Sequence, residues 1–391
     1  MTFQRIVLLF LCLNTAFVCS SQERTQNGEP KPEMLHRAQL AVDALQQWYV
    51  PRTGLYRTTG WWNSANAITA ITGFMRMSGS RKYVSVLSHT YATAQVPVPK
   101  EQQTVEGKEM TGFPGFLNKY YDDEGWWALA WIDAYDLTHD ARYLTMAESI
   151  FADMAGGWDA TCGGGIWWSK DRTYKNAIAN ELFLSVAAHL ATRSSEDRDK
   201  YAGWAAKEWQ WFRQSGMINS ENLINDGLTI DAKTGACRNN QKTVWSYNQG
   251  VILGGLAEWS RHQGNAAVLD DARKIADAAL AHLGDGEGVL HDVCEPKCGA
   301  DAIQFKGIFV RNLRALDTVA PEPRYAKAFR VNAGSIWTKN RTPQNTFGVT
   351  WSGPPEAIDA GTQSSALDAL VAALPHDSAP TDVEKVAEAV K

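Results

Sequence analysis

Two adjacent carboxylates beside aromatic rings form the stretch of this sequence best suited to chemistry. Residues 120–127 read Tyr-Tyr-Asp-Asp-Glu-Gly-Trp-Trp, and a helical pattern follows directly. Adjacent acids can divide acid and base roles between them, because burial and mutual repulsion push their pKa values apart. Indole and phenol rings provide flat, amphipathic surfaces on which sugar rings stack. The combination indicates chemistry on a glycosidic bond.

The position of Asp122 and Asp123 at a helix start suggests how they would share that chemistry. Adjacent residues diverge in direction, so both can face one bound glycosidic bond. One acid is stabilised as an anion by helix N–H groups and serves as nucleophile, while its neighbour, desolvated by Trp126 and Trp127, stays protonated and acts as acid. Neighbouring carboxyl groups favour the short separation of a retaining mechanism over the wider gap of an inverting one. The alternative is that Asp122 caps a helix and Asp123 is a first-turn charge.

Helical periodicity dominates the rest of the chain, and strand-like alternation is scarce. Apolar stripes over 38–49, 68–75 and 83–91 predict three helices. Nine further helical segments are predicted, joined by turns or by Gly- and Pro-containing loops: 124–138, 140–156, 174–193, 197–215, 245–263, 267–284, 304–318, 322–340 and 361–374. The sequence therefore predicts an all-α protein of twelve helices.

Alternate helices of this series begin with polar or aromatic groups suited to a ligand. Their starts lie near Trp61-Trp62-Asn63, Tyr121-Asp122-Asp123, Tyr174-Lys175-Asn176, Trp245 to Asn248, Gln304-Phe305-Lys306 and Gly361-Thr362-Gln363. This weak repeat predicts a toroid of six helical hairpins, whose inner helices point their N-termini at one face and whose last helix pairs with the first. Exposed N–H groups and positive dipole ends at that face suit carboxylates and sugar hydroxyls.

The chain organisation predicts one exported catalytic domain. We expect a signal peptide over 1–21, a disordered lead-in over 22–33, a single domain over 34–375 and a polar tail over 376–391. Cys19 leaves a lipoprotein signal open as a less favoured alternative. A net charge of -5 argues against nucleic acid or an anionic membrane as partner, and no segment is long enough for a transmembrane helix.

Four cysteines remain once the predicted signal is removed. An even number in an oxidising compartment suggests two disulfides, and the favoured pairing is Cys162 with Cys237 and Cys294 with Cys298. The alternative is a zinc site, because His291, Cys294 and Cys298 have ligand-like spacing. We favour the disulfides, since no second cysteine pair lies near enough to complete a metal site.

Several motifs together resemble glycoside hydrolase family 76, the endo-α-1,6-mannanases. They are Asp122-Asp123-x-x-Trp126-Trp127, Trp61-Trp62-x-x-Ala65-Asn66, Cys162 to Trp168, Tyr174 to Glu181, Asp226-Gly227, Tyr247 to Gly250, Phe305-Lys306-Gly307 and Gln363-Ser364-Ser365. The resemblance spans about 36–374. It implies an (α/α)6 barrel and a retaining mechanism without metal or cofactor. In that mechanism Asp122 would be the nucleophile, Asp123 the acid/base, and Asp226 a residue that holds sugar hydroxyls.

Other polar and aromatic residues at the predicted helix starts are candidates for substrate binding. Trp62 and Trp127 would stack on mannose or lie in the core. The four asparagines would bind hydroxyls, or instead cap helices or link them: Asn66, Asn118, Asn176 and Asn180. The remaining candidates are Tyr247, Asn248 and Lys306 at inner-helix starts, Trp351 as a cleft wall or barrel plug, and Glu181 as a second candidate for the acid.

These observations favour a secreted or periplasmic, monomeric hydrolase that cuts internal α-1,6-mannosidic bonds in mannan or mannooligosaccharides. Two alternatives stay open. One is a transglycosylase on the same fold, which would pass the mannosyl intermediate to another sugar instead of water. The other is a carbohydrate-binding surface protein without turnover, which would not need the paired acids.

Overall fold

A computed structural model describes residues 31–100, 104–105, 108–263 and 267–375. The described residues form twelve α-helices: α1 (Lys31–Leu45), α2 (Trp61–Ser78), α3 (Val84–Thr93), α4 (Tyr121–Thr138), α5 (Ala141–Ala155), α6 (Ala177–Arg193), α7 (Arg198–Gln214), α8 (Ser246–Gln263), α9 (Ala267–Leu283), α10 (Phe305–Val319), α11 (Pro323–Lys339) and α12 (Ala360–Ala372). Three antiparallel strand pairs decorate the loops: β1 (Tyr49–Val50) with β2 (Leu55–Tyr56), β3 (Thr104–Val105) with β4 (Lys108–Glu109), and β5 (Leu228–Ile230) with β6 (Cys237–Asn239).

The even-numbered helices form a closed inner ring. Each of α2, α4, α6, α8 and α10 contacts the next even-numbered helix, and α12 contacts α2 to close the circle. The odd-numbered helices lie outside: α5 packs on α4, α7 on α6 and α9 on α8, while α1 and α11 both contact α12. The predicted toroid of six hairpins, an (α/α)6 barrel, is confirmed.

Inner and outer helices differ in sequence because they differ in surroundings. Almost every residue of α6 is buried, whereas α7 buries one face. Inner helices approach one another closely at glycines: a Cβ on Gly250 of α8 would lie 2.5 Å from the Cα of Phe309, and one on Gly307 of α10 would lie 2.5 Å from the Cα of Ser365. These contacts explain the glycines in two of the motifs above.

Both predicted disulfides are confirmed. Cys162–Cys237 joins the loop before α6 to β6, and Cys294–Cys298 closes a short turn in the loop before α10. The sulfur atoms of the zinc alternative are therefore bonded to each other. His291 instead lies 2.9 Å from a carboxylate oxygen of Glu295.

Several helix boundaries differ from the sequence-based expectation, and those of α1 and α6 bear on the domain bounds and the site. Helix α1 begins at Lys31, so residues 31–33 are helical and do not belong to a disordered lead-in. Helix α6 begins at Ala177 and not at 174, because Asn176 pairs with Gly227 in an isolated β-bridge and caps the helix through its side chain. The predicted signal peptide, the rest of the lead-in and the tail lie outside the described residues. None of the described helices is long and apolar enough to cross a membrane.

Candidate active site

A cleft of ≈ 650 Å³ opens at the N-terminal ends of the inner helices. Five inner helices contribute residues at or beside their first turn: Trp62, Asp122, Asp123, Trp126, Asn176, Tyr247 and Phe305. The loops supply the other lining residues: Tyr120, Trp168, Tyr174, Asp226, Trp245, Cys294, Gly299, Asp301 and Ala302. This volume is within the range of sites for small ligands.

A second cavity of ≈ 300 Å³ adjoins the cleft. The two cavities share Trp62, Tyr120, Asp123 and Asp301 in their walls. Asp122, in contrast, lines only the larger one. The pair of acids therefore lies at the junction of two spaces, with Asp123 facing both.

The sixth inner helix does not contribute to the cleft, which corrects the expectation that all six N-termini would face the ligand. A 3-10 turn, Ala302–Gln304, lies against the start of α12. Gln304 accepts a hydrogen bond of 2.6 Å from the Asn63 amide and donates one of 2.7 Å to the Ser364 hydroxyl. These buried hydrogen bonds link the starts of α2 and α12 through Gln304, so the N-terminal end of α12 is covered and does not line the cleft.

Both carboxylate oxygens of Asp122 accept hydrogen bonds. The Trp168 indole N–H donates to Oδ2 at 2.9 Å, and the backbone N–H of Asp123 donates to Oδ1 at 3.0 Å. Neither donor can accept a hydrogen bond, so both favour the ionised carboxylate. This arrangement suits a nucleophile.

Asp123 has a different environment, because only one of its oxygens is engaged by a described donor. The Asn118 amide donates to Oδ2 at 2.6 Å. The orientation of that amide is fixed, since its Oδ1 accepts the backbone N–H of Tyr120 at 2.7 Å. A proton on Asp123 therefore belongs on Oδ1, the oxygen left available for a bound substrate.

The pKa shifts of Asp122 and Asp123 agree with these two hydrogen-bond environments. Burial raises the pKa of Asp122 to about 7, although hydrogen bonds from Trp168 and the backbone oppose the shift. Burial, and then the negative charge of Asp122, raise the pKa of Asp123 well above its ordinary value. Because Asp123 has fewer opposing donors, it is the acid that retains its proton at neutral pH.

Four aromatic rings form the floor of the cleft. Trp62 stacks on Trp126 with ring centroids 5.7 Å apart, and Trp126 stacks on Tyr247 at 6.5 Å. Tyr247 stacks on Phe305 with ring centroids 3.7 Å apart, and the centroids of Phe305 and Trp62 are 6.4 Å apart, which completes the group of four. Below this floor, the Arg311 guanidinium lies 5.8 Å from the centre of the Trp126 ring. The ring floor separates the acidic cleft from the charged interior.

Asp226 reaches the cleft from the loop before β5. Its Oδ2 accepts a hydrogen bond of 2.5 Å from the Tyr174 hydroxyl, which in turn accepts one of 2.8 Å from the Asn240 amide. The following Gly227 allows this approach, because a Cβ there would lie 2.5 Å from the Tyr174 oxygen. Asp226 is thus a pre-oriented acceptor on the wall of the larger cleft, and it does not line the adjoining cavity.

A buried lysine organises the glycine-rich loop that presents Trp168. The Lys175 ammonium donates to Asp159 at 2.9 Å and to the carbonyl oxygens of Thr161, Gly164 and Gly165 at 2.7–2.8 Å. Gly165 has a φ of 79°, and a Cβ there would lie 2.3 Å from a ring atom of Trp211. The loop is therefore fixed by internal contacts.

The structure brings seven of the predicted site residues together. Asp122, Asp123, Trp62, Asn176, Asp226 and Tyr247 line the cleft, and Asn118 lines the adjoining cavity. Asn118 orients Asp123, as described above. Asn176 also caps α6, accepting the backbone N–H of Ala179 at 3.3 Å.

Six other candidates lie in the interior and not on the cleft wall, so direct contact with a ligand is not supported for them: Asn66, Trp127, Asn180, Asn248, Lys306 and Trp351. Trp127 packs between other rings of the core. Asn180 is used by the backbone of Ile166. The Lys306 ammonium pairs with Glu295 and lies 4.7 Å from the centre of the Trp351 ring.

Asn66 and the second candidate for the acid are both buried away from the cleft wall. Asn66 accepts a hydrogen bond from Arg311, below the aromatic floor. Glu181, the second candidate for the acid, is fully buried, and burial raises its pKa well above the ordinary value. The carboxyl oxygens of Glu181 and the amide of Asn248 have no hydrogen-bond partner among the described residues.

Sequence reasoning missed several residues of the cleft, and four of them bear on the site most directly: Trp168, Tyr174, Asp301 and Phe305. Three of them belong to quoted motifs, so position in a motif was an available signal for Trp168, Tyr174 and Phe305. Asp301 had no such signal. It follows the Cys294–Cys298 turn and is brought to the cleft by the path of that loop.

Comparisons with known proteins agree with this arrangement. The family model described as Glycosyl hydrolase family 76 matches residues 34–384. A Candida albicans protein, mannan endo-1,6-alpha-mannosidase DFG5, is 26% identical over 94% of this chain and 85% of its own length. Saccharomyces cerevisiae mannan endo-1,6-alpha-mannosidase DCW1 is 25% identical over 80% of this chain and 71% of its own length.

Solved structures show the same fold. An inactive variant of the α-1,6-mannanase GH76A of Salegentibacter sp. HEL1_6, in complex with α-1,6-mannotriose, superposes with a TM-score of 0.75 at 22% identity. The match covers 87% of this chain and 99% of that one. Dfg5 from Chaetomium thermophilum, in complex with glucosamine, gives a TM-score of 0.74 at 21% identity, covering 88% and 91% of the two chains.

Proposed function

This chain belongs to glycosyl hydrolase family 76, and we propose that it cleaves internal α-1,6-mannosidic bonds in mannan with retention of configuration. One observation carries the proposal. Two adjacent carboxyl groups lie in an aromatic cleft with opposite hydrogen-bond environments, one satisfied as an anion and the other left with an oxygen for a proton. A retaining glycosidase needs this division of roles.

The relatives support α-1,6-mannan as the substrate. The curated relatives above are named mannan endo-1,6-alpha-mannosidases. The Salegentibacter mannanase in complex with α-1,6-mannotriose is an inactive variant in which two consecutive aspartates are replaced by asparagine. This chain has two consecutive aspartate pairs, and Asp122-Asp123 is the one in the cleft, since Asp270-Asp271 lies on the outer helix α9.

In the first step, a carboxylate oxygen of Asp122 attacks the anomeric carbon and the glycosidic C–O bond breaks. Asp123 transfers its proton from Oδ1 to the departing oxygen, so the leaving sugar departs as an alcohol. The product is a mannosyl ester of Asp122. We place the leaving sugar in the adjoining cavity, because Asp123 borders that space and Asp122 does not.

In the second step, Asp123 is ionised and takes a proton from water. That water attacks the anomeric carbon of the ester, the bond to Asp122 breaks, and both acids return to their starting states. Asp226, held by Tyr174, accepts hydrogen bonds from hydroxyls of the sugar at the cleavage point. The aromatic floor excludes water from below, which limits side reactions of the ester.

Two disulfides fit an oxidising compartment, so we also propose that the protein is exported. The predicted N-terminal signal agrees with this proposal. Finding the cysteines reduced in protein isolated from its native host would contradict it.

The anomer of the first product tests the proposal most directly. Linear α-1,6-mannooligosaccharides are incubated with the protein and followed by ¹H NMR, and the α-anomer is expected before mutarotation. Elongated oligomers would favour the transglycosylase, and unchanged oligomers that bind would favour the non-catalytic alternative. A β-anomer as first product would overturn the retaining mechanism. The variant Asp270→Asn/Asp271→Asn, altered at the other consecutive pair, serves as a control with unchanged products.

A further inference from the structure

Asp301 is a third carboxylate beside the catalytic pair, and the mechanism above does not use it. It lines both the cleft and the adjoining cavity, next to Asp123. Its Oδ1 accepts the Trp62 indole N–H at 3.1 Å. Trp62 lies on α2 and Asp301 on the loop before α10, so this hydrogen bond links two walls of the site.

In the part of the chain that the structure describes, no cation pairs with Asp301, and no lysine or arginine lines the cleft. Lys119 lines the adjoining cavity, but its ammonium pairs with Asp171 at 2.6 Å. Lys170 pairs with Glu124, the acid directly after the catalytic pair, at 2.8 Å.

Several titratable groups of the described chain face Asp122 and Asp123 from the surrounding elements. They are Glu124 of α4, Tyr120, Tyr174, Asp226, Tyr247 of α8, Asp301 and, in the adjoining cavity, Lys119. The negative charge of Asp301 is one of the causes that raise the pKa of both catalytic carboxyl groups, after burial in each case. Its effect is therefore shared by the pair.

We propose that Asp301 is a positioning residue for glycoside cleavage: its charge holds the proton on Asp123, and its hydrogen bond fixes the Trp62 ring at the junction of the two cavities. The assignment of Asp123 as acid rests on the proposed function. The electrostatic effect of Asp301 does not rest on the proposed function, because a negative charge at this place disfavours ionisation of the neighbouring carboxyl groups whatever the substrate.

Direct titration tests the electrostatic part without a substrate. The protein is labelled with [¹³C]carboxyl aspartate, and the cleft signals are assigned with Asp122→Asn and Asp123→Asn. In Asp301→Asn we expect both apparent pKa values to fall by about half a pH unit, because Asp301 is exposed and water screens its charge. Asp301→Glu should restore them, and 1 M NaCl should shrink the difference. Titration curves that are the same in wild type and Asp301→Asn would overturn the proposal.

Activity tests the second part. With an α-1,6-mannooligosaccharide, both limbs of the pH profile of kcat/KM should move to lower pH in Asp301→Asn by the same half unit or so. Trp62→Phe removes the indole donor and keeps a ring, so KM should rise about threefold or more while the limbs stay in place. If Asp301→Asn also raised KM without moving the limbs, Asp301 would act only by holding Trp62, and the proposed charge effect would be wrong.

The two proposals fail separately. If the wild-type protein cleaves no α-mannoside but the titration still shifts, the proposed function is wrong and the electrostatic role of Asp301 stands. If cleavage proceeds with retention and the titration does not shift, the reverse holds. Asp270→Asn, which removes an exposed carboxylate on α9 that pairs with Arg273, should change neither measurement.

Discussion

At the N-terminal mouth of the helical ring, the acids that line the cleft accept hydrogen bonds from uncharged donors, whereas at the C-terminal mouth acids pair with arginines. The donors to Asp122, Asp123 and Asp301 are the side chains of Trp168, Asn118 and Trp62, respectively. At the opposite end, a cavity of ≈ 290 Å³ is lined by arginines from α2, α6, α8 and α10 together with carboxylates. Arg193 there bonds to Asp136 and Glu258 at 2.6 Å each.

Glu258 and Asp122 show how burial and hydrogen-bond donors together set a pKa. Burial alone would raise the pKa of Glu258, but the charges of His189 and Arg193 outweigh it and hold that pKa below its usual range. In the cleft, burial wins and the pKa of Asp122 rises to about 7. Burial therefore has opposite outcomes for Asp122 and Glu258. A cation does not always outweigh it, because Asp368, which accepts a hydrogen bond from Arg311 in the same cavity as Glu258, has its pKa raised by burial to about 7.

The helix dipoles explain how each end tolerates its charges. N-termini carry partial positive charge, which favours carboxylates that have no cationic partner, while C-termini carry partial negative charge, which favours arginine. The comparison teaches that the acids lining the cleft have no cationic partner, whereas the other mouth pairs acids with arginines and holds at least Glu258 in its ionised form. Variants at the two mouths of the ring test this difference.

Asp122→Asn gives the largest expected effect. An amide cannot form the mannosyl ester, so turnover should fall by roughly 10⁴-fold or more. Substrate affinity should survive, because the aromatic floor and Asp226 are untouched. Reducing ends released from α-1,6-mannooligosaccharide measure the rate, and isothermal calorimetry measures binding. A rate close to that of the wild type would remove Asp122 from the chemistry.

Asp123→Asn should have a large effect that depends on the leaving group. Loss of the acid should slow cleavage of mannooligosaccharides by about 10²–10⁴-fold. Aryl mannosides with very acidic phenols need no protonation, so formation of the ester from them should be nearly normal. The comparison of both substrates in stopped-flow and steady-state assays checks this. Equal losses on both would contradict the acid role.

Arg193→Met tests the opposite mouth. It leaves Asp136 and the nearly buried Glu258 without their shared cation, and we expect a loss of about 2–4 kcal/mol in the free energy of unfolding. Catalytic rates well below the melting temperature should not change. Urea denaturation measures the loss. The control Arg273→Met breaks an exposed pair on α9 and should cost about 0.5 kcal/mol or less.

The double variant Asp122→Asn/Asp123→Asn should be more stable than the wild type at pH 8, by about 1–2 kcal/mol. Both carboxyl groups have a raised pKa in the folded state, so ionising them opposes folding. Their contribution is favourable below the unfolded value of 3.8 and is lost as pH rises through about 7 for Asp122. The stability difference should therefore vanish near pH 4, as thermal melts at both pH values would show.

A matched control makes this last prediction specific. Asp270→Asn/Asp271→Asn removes the second consecutive pair, whose carboxylates bond to Arg273 and Arg213. This variant should gain no stability at pH 8. Equal stabilisation of both double variants would mean that reduced net charge, and not the cleft environment, is responsible.

The fold could be predicted from sequence because its signals are local and repeated. Helical periodicity located all twelve helices, and polar residues at alternate helix starts identified the inner ring. The pairing of the last helix, α12, with the first, α1, followed from the same repeat and is confirmed. A predicted helix boundary was wrong where a distant contact decides it. The start of α6 is an example, because the bridge between Asn176 and Gly227 keeps the preceding residues extended.

The site was less predictable because residue type does not distinguish a ligand contact from a structural one. Lys306 and Lys175 both stand beside inner-helix starts, yet both are buried and tie loop carbonyl groups together. Asp301 lies in a loop without regular structure, so its position depends on tertiary contacts that no local pattern encodes. The roles of the individual cleft residues in catalysis remain predictions to be tested as above.

The closure of α12 against α2 has a consequence for how the protein is made. These two helices are separated by nearly 300 residues, so every earlier helix must be synthesised before the ring can close. Until then, the apolar faces of α2 and α10 that contact α12 in the folded protein stay uncovered. Uncovered apolar surface on a nascent chain binds chaperones or leads to misassembly. Circular permutants whose chain begins between an outer and an inner helix would place this surface elsewhere in the ring and reveal whether closure limits the folding rate.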